Sequence, residues 1–185
     1  MENGAVVQPL KVPRLERPAL ILRPFEARDV GVVAEAASDP LIPLITSVPA
    51  SPDLAACRAF IVRQRRRAED REGYSFVIAD AASDEALGHV GLWLRDEAAG
   101  RASLGYWLAP RHRGSGIARQ ALVLVATWGL RLPGIHRLEL FIEPTNVASW
   151  RTAEGAGFEC EGLLRSWMTI GDRRRDMYVY SRTRE

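Results

Sequence analysis

A glycine-rich turn between a strand-like run and a helix-like run constrains the fold of this chain more than any other feature. Residues 103–108 have a strand-like pattern, and Gly114 and Gly116 then open a long helical stretch. A helix N-terminus leaves backbone N–H groups unpaired and carries partial positive charge, and glycines let an anion approach those groups closely. The segment therefore predicts a pocket for phosphate groups, and Arg111 and Arg113 would add full charge beside it.

Length and composition fit one globular domain. The chain has 185 residues, of which 47% are hydrophobic and 26% are charged, and a chain of this length can bury its own core. No apolar run approaches the roughly 18 residues of a spanning helix, and the N-terminus lacks the pattern of a secretion signal. We therefore expect a cytoplasmic protein without a membrane partner.

Charge and cysteine content exclude several classes of function. The formal net charge of +2 argues against a general nucleic-acid binder, and the basic residues are not interleaved with stacking aromatics. Cys57 and Cys160 lie far apart without metal-ligand spacing, so we expect them to be reduced and buried. No metal site is predicted.

The order of predicted elements indicates a mixed sheet. Residues 1–18 mix prolines and charges and are interpreted as a flexible arm or a peripheral strand, followed by a single domain at 19–185. The strand–helix–strand passage through residues 103–142 implies one parallel crossover among antiparallel pairs. Ser51 is predicted to cap a helix with Pro52 at its first position. Strands are expected near 20–25, 74–79, 87–94, 103–108, 137–142, 161–169 and 177–181, and helices near 29–37, 51–67, 117–132 and 146–155.

Separated segments of the chain, in a particular order, point to one family. They are Leu20-x-Leu22-Arg23-Pro24 with Asp29, Gly105-Tyr106-Trp107-Leu108, Arg111-x-x-Gly114-x-Gly116-x-Ala118, Asn146-x-x-Ser149 with Gly157-Phe158, Glu161-Gly162-x-Leu164-Arg165, and Gly171-x-x-x-x-Asp176. In this order they resemble the RimJ/RimL branch of the GNAT superfamily of acyl-CoA-dependent N-acyltransferases, over nearly all of residues 19–182. The resemblance implies an α/β fold (α+β mixed): a central, mostly antiparallel twisted sheet with one splayed parallel strand pair and about four flanking helices.

The resemblance also implies an acyl-CoA donor at the glycine turn. A P-loop would need Lys and Ser or Thr after its second glycine, and a dinucleotide turn would need a third glycine at Arg119, so neither competing motif fits. Backbone N–H groups of residues 113–118 would hold the pyrophosphate, and the strand ending at Leu108 would pair with pantetheine. The implied donor-binding residues are Leu108, Arg111, Arg113, Gly114, Ser115, Gly116, Ile117, Ala118, Asn146 and Ser149.

The implied reaction is direct attack of a neutral amine on the acyl thioester. By analogy with the family, the Leu108 N–H would polarise the carbonyl. Asn146 would contact the pantetheine arm, and Ser149 would donate a proton or hydrogen bond to the departing thiolate. Both residues also suit capping positions at a helix N-terminus, so capping alone stays open as their role.

The general base is left open by the sequence. Residues 103–108 contain no acid, and the glutamate that RimL-type enzymes are thought to use falls on Met168 here. Glu139, Glu143 and His89 remain as candidates, acting directly or through water. For each of them, an ion-paired or structural role is the alternative interpretation.

The lack of an assured general base favours an acceptor amine of low pKa. An α-amino group has a pKa near roughly 8, against roughly 10.4 for lysine, and so needs less help to become neutral. We therefore expect acetyl transfer from acetyl-CoA to a primary amine such as a protein N-terminal α-amine. A small-molecule amine or antibiotic, a larger acyl group such as succinyl, a non-catalytic acyl-CoA sensor and a homodimer all stay open. Residues 39–50 and 166–176 are expected to border the acceptor cleft, with Trp93 and Trp167 as candidate walls.

Overall fold

A computed structural model describes residues 8–184 and places them in one eight-stranded sheet with helices on both faces. The strands are β1 (Leu15–Glu16), β2 (Leu20–Arg23), β3 (Gly73–Asp80), β4 (Ala86–Trp93), β5 (Arg101–Leu108), β6 (Arg137–Ile142), β7 (Glu159–Ile170) and β8 (Arg173–Thr183). The α-helices are α1 (Val30–Ala37), α2 (Ile42–Ile45), α3 (Leu54–Glu69), α4 (Ile117–Gly129) and α5 (Val147–Gly155). The strand order is β1-β2-β3-β4-β5-β6-β8-β7, which confirms the predicted mixed fold.

The parallel pair formed by β5 and β6 opens after a short stretch. Its register holds from Arg101 opposite Arg137 to Ser103 opposite Glu139. Beyond that point β5 stays paired with β4 as far as Leu108, while β6 stays paired with β8. The predicted splay is confirmed. Its opening lies at the C-terminal ends of both strands, where β5 leads into the glycine turn.

Alternation along the strands divides the buried side chains between two cores. One core lies under α4 and α5, and it takes Leu138, Leu140 and Ile142 from alternate positions of β6. The other lies under α1 and α3 and takes Val77 and Trp107 from the opposite face of the sheet. Side chains at the end of β5 therefore point alternately to the two faces, beside the splay.

A buried ion pair anchors the first long strand. Arg23, only 2% exposed, donates two hydrogen bonds to the Asp29 carboxylate at 2.8 and 2.9 Å. Its Nε donates to Asp84 at 2.8 Å, and Asp29 also accepts the Glu26 N–H at 2.7 Å. Arg23 thus ties the end of β2 to the segment leading into α1 and to the turn between β3 and β4.

Two local expectations are wrong. Helix α3 is capped by Asp53, whose carboxylate accepts the Ala56 N–H at 2.8 Å, and not by Ser51. A charged oxygen at this position satisfies a free N–H and also interacts favourably with the helix dipole. Cys57 is buried, but Cys160 is exposed, because it lies on β7, an edge strand whose residues are mostly open to solvent.

The N-terminal segment is described from residue 8 onward. Leu15–Glu16 pairs antiparallel with β2 as an edge strand, in line with the peripheral-strand interpretation, and Leu10 donates its N–H to Ala68 at 2.9 Å. Residues 1–7 of the expected arm lie outside the described residues, and the boundary near residue 19 stays a prediction. Within residues 8–184, no helix combines the length and the apolar character needed to cross a membrane.

The Arg23–Asp29 pair should contribute strongly to stability. Asp29→Ala would leave a buried guanidinium without its bidentate partner, and we expect a loss of about 3–5 kcal/mol in the free energy of unfolding, measured by urea denaturation. Arg14→Ala, which removes the exposed Arg14–Glu16 pair, is the control and should cost less than about 1 kcal/mol. Equal losses in the two variants would contradict an anchoring role for Asp29.

Candidate active site

The glycine turn lies at the open end of the splay. Gly114 and Gly116 adopt left-handed φ angles of +77° and +78°, and Gly116 is the N-cap of α4, with no side chain capping the helix there. A Cβ built on either glycine meets nothing within 4 Å. Glycine is needed here for backbone conformation and for an open approach. The N–H groups of the first turn of α4 have no acceptor within the helix and remain available to an anion.

The two arginines of the turn are already paired with carboxylates. Arg111 contacts Glu35 at 2.9 Å and Glu85 at 2.8 Å. Arg113 contacts Asp39 at 2.8 Å. Their positive charges are therefore balanced largely by acids from outside the turn. The backbone N–H groups at the start of α4 therefore remain as a source of positive potential that is not paired with a carboxylate.

Asp39 connects the glycine turn to α2. Its carboxylate accepts the N–H groups of Leu41 and Ile42 at 2.9 Å and binds the Arg113 guanidinium. Burial alone would raise the pKa of Asp39, but these two N–H groups and Arg113 together lower it below its usual value. The turn beside α4 and the segment predicted to border the acceptor cleft thus share one ionised carboxylate.

The end of β5 presents its main chain to the splay. The Ala109 N–H donates to the Leu87 carbonyl of β4 at 3.0 Å. Successive N–H groups of an extended strand point to opposite edges, so the N–H and carbonyl of Leu108 point away from β4. Arg113 Nε reaches that carbonyl at 3.3 Å, which agrees with this orientation. The Leu108 main chain is therefore placed to pair with a ligand in the opening.

Asn146 and Ser149 lie at the start of α5, which follows β6. Asn146 is the N-cap, and its side-chain oxygen accepts the Ser149 N–H at 3.1 Å. The Ser149 hydroxyl has a different partner, the Tyr106 hydroxyl of β5, at 3.0 Å. Capping is therefore confirmed for Asn146, whereas the Ser149 hydroxyl faces the other side of the splay.

Tyr106 is the site residue that the sequence analysis missed. It packs against the core under α4 and α5, on the face of β5 that also carries Leu104 and Leu108. Burial raises the pKa of its phenol, with interactions with the Ser149 and Thr152 side chains opposing the rise. The side chain therefore keeps its proton and can donate it in a hydrogen bond. Strand alternation places Tyr106 on the same face as Leu108, and that signal could have identified it.

Both candidate carboxylates are engaged in ion pairs. Glu139 is buried and accepts Arg137 Nε at 2.6 Å, and Glu143 contacts Arg175 at 3.3 Å. Glu139 lies on β6, and Glu143 directly follows the end of that strand. Neither carboxylate, however, stands as an unpaired base.

His89 is a structural imidazole. Its Nε2 lies 2.9 Å from Ser75 Oγ, and Ser75 donates its single proton to Gln64 Oε1 at 3.0 Å. The Nε2 atom therefore carries a proton and donates to Ser75. Burial, with a smaller contribution from Arg67, lowers the pKa of His89 to about 3. An imidazole with so low a pKa is a weak acceptor for an amine proton.

The sequence matches a family model for the acetyltransferase (GNAT) domain over residues 19–159. The chain belongs to the GNAT acetyltransferase family. An uncharacterized N-acetyltransferase p20 of Bacillus licheniformis is 29% identical over 162 residues, which cover 88% of this chain and 91% of the relative. Membership makes the protein an N-acetyltransferase that uses an acyl-CoA cosubstrate.

Solved structures of two acetyltransferases share the fold of this GNAT protein. RimL, a ribosomal L7/L12 alpha-N-protein acetyltransferase in complex with coenzyme A, aligns with a TM-score of 0.76 at 19% identity, covering 92% of this chain and 98% of that one. RimJ of Mycobacterium smegmatis, in complex with a CoA disulfide, aligns with a TM-score of 0.77 at 24% identity, covering 93% and 86%. The predicted GNAT resemblance is confirmed, with RimJ and RimL among the structures of the same fold.

The two tryptophans expected at the acceptor side of this GNAT protein differ in exposure. Trp167 is 49% exposed and stacks on Phe141 with ring centroids 5.6 Å apart. Trp93 packs over the backbone of Gly91, and the Arg67 guanidinium lies 4.5 Å from the centre of its ring. Trp167 therefore offers an open aromatic surface, whereas Trp93 is largely covered.

The burial of His89 should appear in the pH dependence of stability. Its pKa is lowered to about 3 in the folded protein, so between that value and about 6.5 the unfolded chain binds a proton that the folded one does not. Stability should therefore fall as pH falls, and His89 should account for about 2 kcal/mol between pH 7 and pH 5. Urea denaturation of His89→Gln should show a smaller fall than the wild type.

His136→Gln, which replaces an exposed imidazole, is the matched control for this measurement. If His89→Gln loses as much stability on acidification as the wild type, the neutral buried imidazole is contradicted.

Proposed function

We propose that this GNAT protein is a cytoplasmic enzyme that transfers acetyl from acetyl-CoA to a primary amine, with a protein N-terminal α-amine as the preferred acceptor. The observation that carries the proposal is the meeting of three groups at one opening. The glycine turn before α4, the Leu108 main chain and the start of α5 all border the splay between β5 and β6. Together they match the parts of an acyl-CoA: pyrophosphate, thioester carbonyl and sulfur.

The donor would be held mainly by backbone groups. N–H groups of residues 113–118 would bind the pyrophosphate, helped by the positive end of α4. Pantetheine would pair with the exposed main chain of β5, beside Asn146 at the start of α5. The Leu108 N–H, which points away from β4, would donate to the thioester oxygen and bind it more tightly as negative charge develops there.

The chemistry would proceed by direct attack without a covalent enzyme intermediate. The amine nitrogen forms a bond to the carbonyl carbon, and the C–S electron pair leaves with the sulfur. The proton that the nitrogen loses reaches solvent, and the thiolate takes up a proton in turn. Ser149 would donate a hydrogen bond to the sulfur as it leaves.

The ion pairs of Glu139 and Glu143 and the low pKa of His89 support an acceptor that arrives neutral. At neutral pH an α-amine is unprotonated about two orders of magnitude more often than a lysine side chain. RimL, whose structure shares this fold, is an alpha-N-protein acetyltransferase, which supports the same class of acceptor. A small-molecule amine, and a larger acyl group such as succinyl, are alternatives that the acceptor and donor panels below would reveal.

Donor binding at the glycine turn should depend on the left-handed N-cap of α4. Gly116→Val forces a branched side chain into a strained φ and covers the N–H groups, so the Kd for acetyl-CoA should rise at least about tenfold. Isothermal titration calorimetry measures this directly. Gly134→Val is the matched control, because Gly134 has a φ of +77° and equally open surroundings but follows the other end of α4. Equal weakening in both variants would argue against a donor site at the turn.

Acceptor preference should follow the pKa of the amine. Two peptides of otherwise equal sequence are compared: one has a free N-terminal α-amine and no lysine, and the other has an acetylated N-terminus and one lysine. We expect kcat/KM at pH 7 to be at least about tenfold higher for the peptide with the free α-amine. Release of the coenzyme A thiol gives the rates, with small amines and succinyl-CoA tested in parallel. Saturable acetyl-CoA binding without thiol release for any amine would instead indicate a sensor.

A further inference from the structure

A pair of hydroxyl groups joins the two sides of the splay. Tyr106 comes from β5 and Ser149 from the first turn of α5, and their oxygens lie 3.0 Å apart. The Tyr106 ring packs against the core under α4 and α5, so packing fixes its position. The Ser149 N–H is bonded to Asn146, which holds the serine backbone as well. Both partners are therefore set before any ligand arrives.

We propose that Tyr106 positions the Ser149 hydroxyl, so that this hydroxyl can donate its hydrogen bond to the coenzyme A thiolate as the C–S bond breaks. The inference rests on the proposed function, which gives the sulfur its place beside Ser149. Tyr106 itself does not touch the substrate. Its effect on the reaction passes through Ser149 alone.

The donor and acceptor capacity of the two hydroxyls decides the direction of the bond. Ser149 has one O–H proton, and once that proton is directed at sulfur, its oxygen can only accept from Tyr106. One alternative acceptor for Tyr106, the Ser149 carbonyl, lies 3.5 Å away, which is long for a hydrogen bond. The Thr152 side chain also interacts with the phenol, after that of Ser149. A hydroxyl that accepts a hydrogen bond also becomes a better donor. The thiolate thus receives a stronger bond than Ser149 could give alone.

A neighbouring residue shows what Ser149 would do without Tyr106. Serine and threonine hydroxyls in helices commonly bond back to the carbonyl four residues earlier. Thr152, in the same helix, does so with the Ala148 carbonyl at 2.7 Å. Ser149 is directed instead toward β5, where the donor is proposed to lie. Removal of the Tyr106 hydroxyl would allow Ser149 to turn to the backbone.

Neither hydroxyl gives up its proton in this step. The C–N bond forms first, giving a tetrahedral intermediate, and the C–S bond then breaks as that intermediate collapses. The electron pair of the C–S bond stays on sulfur, and the proton lost by the amine nitrogen leaves through water. The thiolate is stabilised by the Ser149 hydrogen bond and by the positive end of α5. Burial keeps the pKa of Tyr106 raised, so the phenol remains a donor throughout the working pH range.

The test measures the pKa of the thiol of coenzyme A bound to the enzyme, which requires binding but no acceptor. Thiolate ultraviolet absorbance is titrated in complexes of coenzyme A with the wild type, Tyr106→Phe, Ser149→Ala and the double variant. In the wild type, we expect the bound thiol to titrate at a lower pH than the thiol of free coenzyme A measured under the same conditions. Each single variant should raise that pKa by about one unit, and the double variant no further than Ser149→Ala.

Tyr74→Phe is the matched control. Tyr74 is a buried tyrosine on β3, with its ring 4.7 Å from that of Trp128 on α4, two strands away from β5. Its loss of a hydroxyl should leave the bound thiol unchanged. In turnover assays, Tyr106→Phe should lower kcat about tenfold and leave the KM for acetyl-CoA within about twofold.

The outcomes separate the inference from the function on which it rests. An unchanged thiol pKa in Tyr106→Phe, with coenzyme A still bound, overturns the inference and leaves the proposed function standing. A further rise in the double variant beyond Ser149→Ala also overturns it, because Tyr106 would then act independently. Failure of the wild type to bind coenzyme A overturns the proposed function and the inference together.

Discussion

The divergence of β5 and β6 is the constraint on which the candidate site depends. The two strands pair only near Ser103 and then follow different neighbours, β5 with β4 and β6 with β8. Main-chain groups along the opening lose their strand partner, and such groups need another one. Everything proposed to bind or activate the donor follows directly from one of these two strand ends: the Leu108 main chain, the glycine turn and the first turn of α5.

Charge at the site is arranged so that the backbone, and not the arginines, offers the free positive potential. Arg111 and Arg113 are held by carboxylates, so they brace the turn as much as they attract an anion. The bond from Arg113 to Asp39 also joins the turn to the N-terminus of α2, where Asp39 accepts two N–H groups. A pyrophosphate bound at the turn would compete with Asp39 for Arg113. Its binding would therefore also affect the segment around α2, which is predicted to border the acceptor cleft.

The sequence predicted the elements better than the contacts. Strand alternation, turn residues and the strand–helix–strand crossover placed the mixed sheet and the glycine turn correctly, and the family resemblance supplied the splay. The exposure of Cys160 depends on β7 being an edge strand, which is a property of the finished sheet. The bond between Tyr106 and Ser149 joins residues 43 positions apart, and the ion pair between Glu143 and Arg175 likewise depends on which strands become neighbours. A single sequence does not show such pairings.

In the proposed reaction, stabilisation of the leaving thiolate compensates for the lack of a strong base at the attacking amine. An enzyme that lacks a strong base cannot readily use a protonated lysine, but it can use an α-amine, which is often neutral already. The tetrahedral intermediate must then expel a thiolate before the amine returns, and stabilising the thiolate favours that outcome. The Ser149 hydroxyl, positioned by Tyr106, and the N-terminus of α5 would therefore stabilise the leaving thiolate and so make up in part for the lack of a strong base. On this account, loss of the Tyr106 hydroxyl should matter most for the least basic acceptors, which leave the intermediate most readily.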